Sequence, residues 1–72
     1  MGAATLDMEC DLLMAEHDLL IAQGNRQSFG TRIALNIGAR DSNESARAYW
    51  DRKAKEAIAR IAAIKGAIEA SR

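Results

Sequence analysis

A chain of 72 residues with ten acidic and ten basic side chains has room for one domain and one small core. Domains this short bury only about 60% of their unfolded surface. A single cysteine excludes an internal disulfide, and one Cys with one His is a poor start on the four ligands of a structural zinc, so partners are the expected source of extra stability.

The zero net charge lacks the basic excess of a dedicated nucleic-acid binder. No apolar run approaches the roughly 18 residues of a membrane span. The start, MGAATLDMEC, has no basic region followed by an apolar core, so it does not read as a signal peptide. Leu6 stands where a myristoylation pattern needs Ser or Thr. The free thiol of Cys10 fits a reducing, intracellular site of synthesis. Charge is unevenly spread. Residues 1–25 hold Asp7, Glu9, Asp11, Glu16 and Asp18 and no Lys or Arg; residues 26–40 hold Arg26, Arg32 and Arg40 and no acid; residues 41–72 are mixed with a small basic excess. That asymmetry suits segments that face each other or copies packed head to tail; solvated faces that happen to differ would look the same.

The first element is a helix over about 5–23. Thr5 is a candidate N-cap, Asp7 and Glu9 favour the positive end of the helix dipole, and Gly24-Asn25 is a stop signal. At about 100° per residue the helix carries two apolar stripes. Leu6, Cys10, Leu13, Met14, Leu20 and Ile21 share one side, with His17 among them; Met8, Leu12, Ala15, Leu19 and Ala22 share the nearly opposite side. Two stripes suit burial from two directions, and a single broad stripe with scattered exposed apolar residues is the plainer alternative.

The second element is a β-hairpin over about 26–37. Ile33, Leu35 and Ile37 alternate with Arg32, Ala34 and Asn36; Gly30-Thr31 can turn the chain, and Gln27-Ser28-Phe29 can form the partner strand. A two-stranded hairpin is marginal alone, so its Ile/Leu face must lie on the helices or on a neighbour. An irregular loop with one extended piece is the alternative.

The third element is a longer helix over about 41–70. Asp41 with Glu44 resembles a capping box, and Ser42 competes as the cap. The body is rich in Ala, Lys, Arg and Glu, which are strong helix formers. Ala54, Ala57, Ile61, Ile64 and Ile68 follow the 3,4 spacing of a heptad seam, with Trp50 one turn before it. Paired antiparallel with the shorter first helix, this one should overhang by two or three turns. Ile58, Ile61, Ile64 and Ile68 would then form an exposed interface stripe, unless the end frays or bends. Tyr49 and Trp50 are the remaining interface candidates, Trp50 tending to the core and Tyr49 to the surface. The fold class expected is therefore α+β, mostly α: two antiparallel helices joined by a short β-hairpin in one domain.

No constellation points to catalysis, a metal or a cofactor. Cys10 lies two turns before His17 on the same face, but nothing completes a catalytic pair or a ligand set. Gly24, Gly30 and Gly38 match no phosphate-cradling spacing.

Laid out in order, AEHDLLIAQG, QSFGTR and AYWDRK resemble a family of small tailed-phage proteins, with a layout similar to the gpW-like head–tail joining proteins. The likeness covers about residues 5 to 62 and falls on Ala15, Gly24, Gln27, Ser28, Phe29, Gly30, Arg32, Tyr49, Trp50 and Arg52. It implies a helix–hairpin–helix virion protein of the neck that binds portal, neck or tail proteins. It also implies a dodecameric or hexameric ring, passive contact with packaged DNA, and no membrane. The docking element would be the hairpin, through Phe29, Ile33, Leu35 and Ile37, or the C-terminal helix. Two other classes compete: another minor capsid-associated virion protein, and a small regulatory or antitoxin-like protein dimerising through the third element.

Overall fold

The computed structural model describes residues 3–71, with side chains from Leu6 onward. Two long helices account for nearly all of it: α1 (Ala3–Ala34) and α2 (Arg40–Ala70). They pack antiparallel along their whole length, and the Cα envelope measures 52 × 14 × 13 Å. The described residues contain no strand. The expected α+β class is therefore corrected to a helical hairpin, and the expected hairpin at 26–37 is helix as far as Ala34, followed by a short loop.

Helix won over strand at 26–34 because of what the helical register buries. On α1 the residues turned toward α2 are Met8, Leu12, Ala15, Leu19, Ala22, Arg26, Phe29 and Ile33, an unbroken 4,3 spacing. Phe29 and Ile33, which look like members of two strands, simply continue that seam. Stopping at Gly24 would forfeit it. A helix-interior glycine costs about 1 kcal/mol, which two further turns of packing readily offset. Within this helix Asn25 and Thr31 bond back to the preceding turn: Asn25 Nδ2 donates to the Ile21 carbonyl at 3.0 Å, and Thr31 Oγ1 donates to the Gln27 carbonyl at 3.1 Å. At Gly30 a Cβ would meet only the Arg47 side chain, at an ordinary 3.7 Å from Nε, so the helix has room for a larger residue there.

The stop signal lies twelve residues later than Gly24. Asn36 adopts φ 55° and Gly38 φ 77°. The amide of Ile37 donates to the Arg32 carbonyl at 2.9 Å, and that of Asn36 to the Ile33 carbonyl at 3.2 Å. This nested pair is a Schellman cap with Asn36 in the left-handed position, which Asn tolerates better than most residues. Buried Asn43 then ties the loop to α2, its Nδ2 donating to the Ile37 carbonyl at 2.6 Å.

Neither predicted N-cap forms. α1 begins at Ala3, upstream of Thr5, so Asp7 and Glu9 fall in its second turn. Extended Ala39 caps α2 without a side-chain hydrogen bond, and Glu44 pairs with Arg40 at 3.0 Å rather than closing a box with Asp41.

With α1 grown to 32 residues against 31 for α2, no part of α2 overhangs. The Ala54–Ile68 seam meets α1 along its length, and Ile68 is only 6% exposed. The core is otherwise built from alanine: Ala15, Ala22, Ala54 and Ala57 are buried, and among the described residues no large side chain is fully buried. Small residues on both seams let the backbones approach closely, but each contributes little apolar area.

Candidate interaction surface

With the Met8–Ile33 seam spent on α2, the other α1 stripe faces outward. Leu6, Leu13 and Leu20 recur every seven residues at 62%, 69% and 69% exposure. Cys10 and His17 lie between them and Gly24 one turn beyond on the same line, also exposed, and Met14 and Ile21 broaden it on one side. The stripe runs straight because the helix beneath it is unbroken through Gly24. Isolated exposed leucines need no explanation, but leucines recurring on one line over four turns make this the candidate contact surface.

The edges of the stripe are acidic. Glu9 and Glu16 flank it on one side, and Asp7 and Asp18 lie beyond Met14 and Ile21 on the other. Among the described residues Asp7, Glu9, Asp11 and Glu16 form no ion pair within the chain. Asp18 meets Arg60 at 4.0 Å and His17 at 3.8 Å, both on the surface.

Elsewhere the surface is more nearly self-satisfied. Asp51 accepts from Arg26 at 3.1 Å across the helices and from Lys55 at 3.2 Å along α2. Those donors, Lys55 first, hold its carboxyl below the usual aspartate range. A groove of about 320 Å³ runs between the helices under Trp50, but its charged rim is paired with itself, Asp18 to Arg60 and Lys53 to Glu56. Among the described residues no three His, Cys, Asp or Glu side chains gather as a metal site would require. No helix there is long and apolar enough to cross a membrane.

The residues singled out from sequence are scattered. Phe29 and Ile33 are half-buried on the inner seam of α1; Ile61 and Ile64 are half-buried, and Ile68 buried, on that of α2. Trp50 is half-buried against α1. Leu35 and Ile37 are exposed in the loop, and Tyr49 is exposed on α2, edge-on to Trp50 at 5.0 Å between ring centroids. Arg52 lies over the Tyr49 ring at 5.9 Å and Arg32 over Phe29 at 5.6 Å. The structure thus does not gather these candidates into one patch. The coherent patch is Leu6, Leu13 and Leu20. Their seven-residue recurrence was the available signal, but sequence could not say which of the two α1 stripes would be spent on α2.

No protein-family model, curated protein or solved structure matches this chain.

Proposed function

We propose that this chain is a non-catalytic assembly subunit. It acts by seating the outer Leu6/Leu13/Leu20 stripe of α1 on neighbouring subunits while the inner stripe holds the hairpin together. The observation that carries this reading is the opposition of the two stripes on one helix, one packed on α2 and one open. A ring subunit needs two lateral faces, because each copy is held from both sides, and the open stripe of α1 supplies one of them.

The setting proposed is the neck of a tailed-phage particle, as a head–tail joining subunit. That setting is supported by the resemblance of the AQG, QSFGTR and AYWDRK segments. In this reading the docking role falls to the outer α1 stripe. A dimer through the Ala54–Ile68 seam, the route open to a small regulatory protein, would have to displace α1 from that seam.

Affinity capture from cells producing the native particles tests the reading. A portal or neck protein recovered in a simple ratio to this chain is the expected result. Leu13→Asp, an exposed substitution, should remove that association while leaving the helical content unchanged. A toxin, a repressor or the dominant capsid protein as the main co-purifying species would overturn the neck assignment.

A further inference from the structure

The outer stripe of α1 has a complement on the same molecule. On α2 the residues diametrically opposite the Ala54–Ile68 seam are Ala48, Arg52, Lys55, Ala59, Ala62 and Gly66, again at 4,3 spacing and all exposed. Where the α1 face carries leucines, this face carries alanine and glycine. Where the α1 face is edged with carboxylates, this one carries Arg52 and Lys55 at its loop end, Lys55 paired with Asp51. We infer that copies of this chain pack head to tail, the outer face of α1 in one copy lying on the outer face of α2 in the next. The inference deepens the assembly-subunit reading and rests on it.

Charge selects this pairing over the symmetric one. Two α1 faces brought together would set Glu9 and Glu16 of one copy against the same acids of its partner, with no Lys or Arg anywhere in residues 1–25 to relieve them. The α1–α2 pairing eases that conflict, because it sets Lys65 as well as Glu69 against those acids where the symmetric pairing offers no cation. Arg26 pairs with Asp51 and Asp18 with Arg60, so residues whose numbers sum to about 77 or 78 lie level along the rod. A copy set alongside at the same height puts Leu20 beside Ile58 and Ala59, and Leu13 between Ala62 and Gly66. In antiparallel packing, matching flanks of the two helices meet. Lys65 then lies midway between Glu9 and Glu16 of the neighbour. All three are unpaired within their own chain among the described residues.

Size agrees. One long side of the 52 × 14 × 13 Å envelope is of the order of the ~800 Å² per partner that a stable interface occupies. Because the two faces lie on opposite sides of the two-helix rod, each copy keeps one free side. The contact therefore propagates and closes into a ring or runs on as a filament.

Disulfide trapping tests the arrangement in the full chain. Cys10 is level with about residue 67, next to Gly66, and a Cβ added at Gly66 would meet nothing within 4 Å. Within one chain the two positions look out from opposite sides, so a Gly66→Cys thiol cannot reach the chain's own Cys10 within disulfide range. Under a mild oxidant such as diamide, Gly66→Cys should give a ladder of covalent dimers, trimers and higher species. Wild type, and Gly66→Cys combined with Cys10→Ser, should stay monomeric on the same gel. Lys65→Glu should weaken assembly about tenfold, and Glu9→Lys with Glu16→Lys should restore it. A covalent dimer from wild type alone would show symmetric α1–α1 pairing and overturn the inference. If wild type sediments as an oligomer but no ladder forms, the mode of packing is wrong and the assembly-subunit reading survives. If wild type is monomeric in solution and recovers no portal or neck protein from particles, both fall.

Discussion

Gly30 offers the sharpest test of the continuous α1 helix. It sits in the last third of α1, where its amide continues the helical ladder and its neighbours Phe29 and Ile33 pack on α2. Proline there removes that hydrogen bond and drives its ring against the carbonyl of Arg26, at a cost of about 3 kcal/mol. A domain of this size holds roughly 4–10 kcal/mol in total. With a urea slope near 1 kcal/mol per molar, Gly30→Pro should lower the midpoint by about 3 M or unfold the chain outright. Gly30→Ala should act the other way. Its new Cβ meets only Arg47 Nε at an ordinary 3.7 Å, and the gain in helix propensity is about 0.5–1 kcal/mol. Urea titration followed by circular dichroism at 222 nm measures both variants against wild type. A Gly30→Pro variant within about 0.5 kcal/mol of wild type would refute the reasoning, as would a destabilised Gly30→Ala, because either places residue 30 outside a helix.

Other consequences can be checked by the same titration. At Asn36, φ 55° makes Gly the better residue and a β-branched residue a poor one; Asn36→Gly should stabilise slightly, and Asn36→Val should cost about 1–2 kcal/mol. Equal stability of the two variants would argue against the left-handed cap. Ala54→Leu should push the close-packed helices apart and cost about 1–3 kcal/mol, and a stabilised variant would show the seam to be underfilled. The Asp51 carboxyl, held low by Lys55 and Arg26, contributes stability that is fully present above the unfolded aspartate value near 3.9 and is lost as pH falls through its lower folded value. The stability difference between wild type and Asp51→Asn should therefore be constant from about pH 5 upward and shrink on acidification below that. A difference independent of pH would remove the ion pairs from the account.

The sequence by itself determined more of the architecture than of the site. Alanine-rich composition, the absence of proline and the 3,4 spacing of Ala54, Ala57, Ile61, Ile64 and Ile68 specify α2 almost to its ends. Both stripes of α1 were likewise readable over residues 6–22, because helical periodicity is a local property. The stretch from Arg26 to Ile37 was not decidable locally. It carries a period-two alternation at 32–37 and a period-3.6 continuation through Arg26, Phe29 and Ile33 at once, and Gly24-Asn25 imitates a helix stop. What breaks the tie is burial. Only as helix do Phe29 and Ile33 reach α2, and only then can Asn36 and Asn43 close the turn. That decision sets the length of α1, which removes the expected overhang of α2 and hides Ile68. It also leaves the Leu6/Leu13/Leu20 stripe as the apolar line facing outward. Which of two equivalent apolar stripes faces the partner helix is a property of the pair. Within residues 6–22 neither stripe is marked as the inner one, and the choice rests on the continuation through Phe29 and Ile33 that only the paired helix buries.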